Sequence, residues 1–256
     1  MEPELCGCGE TYLNFGCFYD VEGLTRQRPA LLALRQANQA VYPAVYAHLR
    51  AARALEVCAR ASVRRADPEG LYRLSRSFFS ELPGQSAAEG ACRDVFLRSW
   101  TPEGQTDHSQ SATALCKTCV ILRDPCGLSA PLLERLTRHC LHAGCDCIRV
   151  LSPIDPGRQE GLLAPSLGLA ILQTDGRSVP GAVTVDVEHF FPPAAQTADL
   201  MDRAKDHCAQ AADLLAEAKA IHDEMEALCR PFVSFEGVDL LTEEYKKQLR
   251  AELLRL

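Results

Sequence analysis

The chain has 256 residues and a mass of 28.0 kDa, with 47% apolar and 24% charged residues. Those values fit one α/β domain with added helices, or two small domains, and exclude a disordered chain. A net charge of −7 and a pI near 5.5 argue against nucleic acid or an acidic membrane as partner. No run approaches the roughly 18 apolar residues of a membrane span. The opening MEPELCGCGE carries acidic residues where a signal peptide needs positive charge and an apolar run, so the expected compartment is the cytoplasm. Thirteen cysteines are scattered through apolar segments, and in a reducing cytosol they pack as small hydrophobes.

TYLNFGCFYD (11–20) reads as a strand or extended piece. A long helix is expected from Pro29 to about Arg65, kinked or divided at Pro43. Asp67 then suits an N-cap and Pro68 a first helical position, opening a second helix through LYRLSRSFFSEL. PGQSAAEG (83–90) has the composition of a linker. Strands are expected at 118–123, 147–152, 168–173 and 182–188, with a helix from about Pro131 to His142 closed by Gly144 as a left-handed C′ residue. Unbroken apolar strands alternating with helices predict a parallel sheet covered on both faces. Two helices close the chain, at about 195–228 and 238–254.

The two ends of the chain echo each other. YLNFGCFY (12–19) is similar to TVDVEHFF (184–191), HLRAARAL (48–55) to LLAEAKAI (214–221), and PEGLYRL (68–74) to FEGVDLL (235–241). The shared order predicts an internal repeat, with two helix-rich tails flanking one α/β segment.

The stretch CVILRDPCGLSAPLLERL (119–136) has the strand, glycine turn and helix of a phosphate-binding loop, but not its lysine. Together with RDVFLRSWTPEG (93–104), SPIDPGRQEGLLAPSLGLAIL (152–172) and AKAIHDEMEAL (218–228), it resembles the second half of an uncharacterised bacterial family built of two tandem P-loop ATPase-like units. The resemblance covers about 90–254. Residues 11–82 are similar to the tail of the first unit, whose own loop would precede Met1. It implies a three-layer P-loop NTPase-type domain in which a Lys-Gly-Gly-Pro-Gly-Thr-Gly-Lys-Ser run stands at the place of Arg123-Asp124-Pro125-Cys126-Gly127-Leu128-Ser129-Ala130-Pro131. By that correspondence Asp124 replaces the first glycine, Ala130 the catalytic lysine and Pro131 the magnesium-binding hydroxyl. Gln173 stands where an aspartate would support magnesium. The lost lysine contact alone is worth about 1.5–3 kcal/mol. Pro131 also removes an N–H from the helix start, and Asp124 sets a negative charge beside the phosphate position. Asp124 or Ser129 is expected to cap the helix instead.

Two further clusters are candidates. Cys116 and Cys119 precede one expected strand and Cys145 and Cys147 open the next. In a parallel sheet the pairs could converge on a zinc ion, although their spacing is not that of a zinc ribbon. Packing of cysteines at strand starts is the simpler account. His222, Asp223 and Glu226 share one helix face, which a solvated surface explains and a functional contact could also use. No G-x-S-x-G motif supports a serine hydrolase, and Trp100, the only tryptophan, is expected to pack.

The expected molecule is therefore a degenerate P-loop α/β domain over 90–192 between helical tails at 1–85 and 193–256. No catalytic residue is assigned. The expected role is a non-catalytic scaffold or interaction protein with no cofactor, acting through a protein partner or a homodimer. A weak ATP/Mg-binding ATPase and a zinc-binding protein are the alternatives.

Overall fold

A computed structural model describes residues 13–63, 67–77, 88–174, 181–192 and 194–253. The expected linker at 83–90 and the aromatics Phe78 and Phe79 fall largely or wholly outside them. Among the described residues no helix is long and apolar enough to cross a membrane. The chain divides into two compact units, one of residues 41–217 and one of 1–40 with 218–256.

The larger unit holds a six-stranded sheet in the order β1-β5-β6-β7-β4-β8. Its strands are β1 (Cys92–Val95), β4 (Thr118–Arg123), β5 (Cys147–Leu151), β6 (Gln159–Ala164), β7 (Leu169–Thr174) and β8 (Val183–Asp186). A separate hairpin pairs β2 (Arg98–Thr101) with β3 (Gly104–Asp107). The sheet is mixed, which corrects the all-parallel expectation: β6 runs antiparallel to both β5 and β7, while β1, β4 and β8 pair in parallel with their neighbours. The β6 stretch, QEGLLA, is buried at every position. It therefore lacks the alternation that usually marks an antiparallel strand with one wet face.

Residue parity sorts the core onto two faces. Val120, Leu122, Leu162 and Ile171 pack with α4 (Ala130–His142), while Cys119, Ile121, Leu163 and Leu172 pack with Ala112 of α3 (Gln110–Leu115). The α4 helix stops as its sequence requires. Gly144 takes φ +75°, its N–H donates to the Leu141 carbonyl, and the Cys145 N–H reaches back to Cys140.

α1 runs unbroken from Val21 to Ser62, so it begins eight residues before Pro29 and Pro43 neither ends nor divides it. Pro43 is exposed, whereas Val41 and Val45 on either side of it are buried, and that packing holds the turn despite the missing N–H. In the larger unit α1 runs antiparallel to α5 (Ala195–Cys229): Ala52 packs on Ala204 and Cys208, and Ser62 bonds Thr197 at 2.6 Å. Helix α2 (Pro68–Ser77) begins with the Asp67 carboxylate accepting the Gly70 N–H at 2.7 Å, and buries Leu71 in the sheet core.

In the smaller unit Asn14 to Tyr19 form not a strand but a capped 3-10 turn, Phe15–Phe18. The Asn38 amide donates to the Ala218 carbonyl at 2.7 Å, so α1 and α5 are antiparallel here too. Phe18-Tyr19-Asp20-Val21-Glu22-Gly23 and Phe232-Val233-Ser234-Phe235-Glu236-Gly237 face each other almost symmetrically. The Asp20 N–H donates to the Phe232 carbonyl and the Ser234 N–H to the Phe18 carbonyl, both at 2.9 Å. A Cβ at Gly23 would collide with the Phe232 ring, and one at Gly237 with Phe18. Helix α6 (Phe235–Leu253) starts here, three residues earlier than its sequence suggests, with its Gly237 N–H on the Ser234 hydroxyl.

Candidate functional site: the β4–α4 loop and an ion cluster

The loop between β4 and α4 lies at the carboxyl end of β4, where an open α/β sheet places ligands. Asp124 is 1% exposed. Its Oδ2 accepts both the backbone N–H and the hydroxyl of Ser129, each at 2.7 Å. Ser129 is the N-cap residue but its own side chain does not cap; Asp124 supplies the acceptor. The Gly127 N–H is turned inward to the Asp124 carbonyl at 3.3 Å, and that carbonyl also accepts from the Gln173 amide at 2.8 Å. Ala130 is buried, Leu128 packs on the core, and Pro131 is exposed on the first turn of α4. Arg123 pairs with Asp186, its register partner on β8. Burial, with the Asp124 charge adding to it, pushes the Cys126 thiol up to about 11.

Gly127 has φ +72°, a left-handed conformation that favours glycine, and its open face is filled. The Arg158 guanidinium lies where a Cβ at Gly127 would stand. Only 10% of the Arg158 side chain is exposed. Its Nη1 donates to Gln173 at 3.1 Å, and its Nη2 reaches Glu160 at 2.7 Å, Ser152 at 3.1 Å and Glu56 at 3.4 Å. Glu160 pairs in addition with Arg98, and Glu56 with Arg60 at 3.4 Å. Asp155, in the turn that carries Arg158, binds Arg53 at 2.9 Å and Arg60 at 3.8 Å. Burial outweighs Arg158 and Arg60 at Glu56 and holds its carboxyl above the usual 4.5. A buried cluster of this kind is worth little net when complete, but removing one member costs about 3–5 kcal/mol.

Beside the cluster lies a cavity of about 250 Å³, lined among others by Trp100, Pro125, Gln173, Lys205 and Cys208. Trp100 packs against Ala52, Ala204 and Cys208. Of these residues Gln173 is a site residue expected from the sequence, and Arg158, Glu160, Glu56 and Asp155 are not. A usable signal was the spacing Arg53, Glu56, Arg60 on one helix face. Nothing local links that face to Arg158, which is 102 residues from Glu56.

The cysteine pairs are not brought together. β4 and β5 are separated by β6 and β7, and Cys116 and Cys119 belong to the core on one face while Cys145 and Cys147 belong to the other. Burial raises the thiol pKa of Cys116, Cys119 and Cys147, the last to about 12, which disfavours the thiolate that a metal needs. Cys147 instead faces Cys92 of β1 in register, sulfur to sulfur at 3.7 Å. Among the described residues no group of three or more His, Cys, Asp or Glu is placed to hold a metal ion.

In the smaller unit His222 pairs with Glu226 at 3.0 Å and Asp223 with Lys219, all on the exposed face of α5. Asp223 and Glu226 also edge an open groove with Arg230 and Phe235. No protein-family profile, curated protein or solved structure matches this chain.

Proposed function

We propose that this is a P-loop-type α/β protein whose anion loop has been closed from within, and that it works in the cytoplasm as a non-catalytic scaffold or interaction protein. The observation that carries this reading is Arg158 seated over Gly127, with its charge balanced by Glu56 and Glu160. An incoming phosphate would have to draw Arg158 away from two carboxylates and settle near the buried Asp124 carboxylate. Breaking such a buried pairing costs about 3–5 kcal/mol, roughly 10²–10⁴ in affinity.

Weak nucleotide binding is the second reading, favoured by the convergence of Arg98, Arg158 and Lys205 on the cavity. At about 250 Å³ that cavity is below the roughly 300–1,000 Å³ of usual small-molecule sites, which weighs against a whole nucleotide. Thermal melts with Mg-ATP, Mg-GTP and metal-free nucleotide separate the two. A ligand at a hundred times its Kd adds about 2.7 kcal/mol, several degrees for a chain of this size. No shift is expected; a saturable shift abolished by Arg158→Ala would establish the second reading.

A further inference from the structure

The strand pair β1–β5 sets two thiols against each other. Cys92 and Cys147 are register partners on parallel neighbours, and their sulfurs stand 3.7 Å apart. Neighbouring strands lie about 4.8 Å apart, within the roughly 4.4–6.8 Å between Cα atoms that a disulfide spans. The sulfurs, already in contact, can therefore bond by side-chain rotation while the ladder stays paired. Their surroundings differ. Cys147 is 2% exposed and belongs to the core under α4, whereas Cys92 is exposed on an edge strand that pairs with β5 alone. Packing as a small hydrophobe accounts for a cysteine at 147 but not for one at 92. Burial pushes the Cys147 thiol up to about 12, against the Arg149 charge two positions along the strand. Cys92 is thus the thiol that a dissolved oxidant meets, and Cys147 the one placed to answer it.

We propose that Cys92 and Cys147 form a reversible oxidation site, closed to a disulfide by a peroxide and reopened by a thiol reductant, which fastens edge strand β1 to the sheet. The Cys92 thiolate attacks one peroxide oxygen. An S–O bond forms, the O–O bond breaks, and the departing hydroxide takes up the proton that Cys92 released, leaving water and a sulfenic acid. The Cys147 sulfur then attacks the Cys92 sulfur. An S–S bond forms, the S–O bond breaks, and the hydroxyl leaves with the Cys147 proton as a second water. Two thiols together lose two electrons and one peroxide gains them. Sulfurs held in contact make the second step intramolecular, which offsets the scarcity of Cys147 thiolate. In the reducing compartment proposed above both thiols rest free, and a disulfide formed there is transient and reports oxidant.

The test treats the reduced full chain with hydrogen peroxide, alkylates the remaining thiols and maps the digest by mass spectrometry. Peptides joined through Cys92 and Cys147, short of two hydrogens, are expected at a dose that leaves the exposed Cys17 and Cys58 reduced. Dithiothreitol should restore both thiols. Amide exchange over Cys92–Val95 should slow in the oxidised form. Cys92→Ser, at an exposed position, is expected to leave Cys147 a free thiol under the same treatment, with circular dichroism reporting a folded chain. Both thiols left free, Cys92 carried to a sulfinic acid beside a free Cys147, Cys147 linked instead to Cys140 or Cys145, or a link that leaves β1 exchange unchanged would each overturn the proposal.

Discussion

Helices α2 and α6 open with the same device and meet different fates. In each a short polar side chain, Asp67 or Ser234, takes the N–H of a glycine three residues on. In each the N–H of that capping residue donates to a distant phenylalanine carbonyl at 2.9 Å, Phe190 for Asp67 and Phe18 for Ser234. Yet α2 sinks Leu71 into a sheet core and α6 buries nothing. Helix initiation is thus a property of about four consecutive residues. Burial depends on what stands opposite, and among the described residues of the smaller unit the one strand contact there is the single bridge of Tyr19 and Val233.

The contrast between the units is sharpest at their ion pairs. Arg158→Ala in the larger unit takes one partner from each of the buried Glu56 and Glu160, leaving them Arg60 and Arg98, and should lower unfolding stability by about 3–5 kcal/mol in urea titration. Leu71→Ala should follow at about 2–5 kcal/mol, against less than about 1 kcal/mol for Val238→Ala. Equal costs for the two would break the comparison of α2 with α6. Gly237→Ala tests the junction of the smaller unit, because its methyl meets the Phe18 ring; a loss of about 1–3 kcal/mol is expected.

A pH experiment sharpens the same contrast. The folded pKa of Glu56 lies above 4.5, so the native state keeps a proton that the unfolded chain releases. The contribution of Glu56 to stability is therefore full below that value and declines as pH rises from 4.5 to the raised pKa. Glu56→Gln should remove this fall, seen as a flatter stability profile across the window; an unchanged profile would place the burden elsewhere. His222→Ala, at an exposed pair, should move stability by no more than about 0.5 kcal/mol.

Part of the β4–α4 loop is legible in the sequence. Asp124 as a partner for the helix start and Pro131 on its first turn are local features, because a strand, a tight turn and a helix start lie within 14 consecutive residues. The element that fills the loop was not legible. Arg158 sits in a turn between β5 and β6 and meets Glu56 from α1, and no periodicity joins residues so far apart.

By itself the sequence determined the β4 strand, the α4 helix with its Gly144 stop, the Asp67 start of α2, and α5 to within a residue of its end. Those follow from dihedral preference, capping and short-range apolar spacing, which act over one or two turns of chain. The tertiary structure alone decided that β6 runs against its neighbours, that α1 continues through Pro43, that the two cysteine pairs face opposite sides of the sheet, and that Arg158 occupies the loop. Strand direction, tolerance of a proline and the pairing of buried charges depend on groups brought together across the chain, and their energies exist only once the core has closed around them.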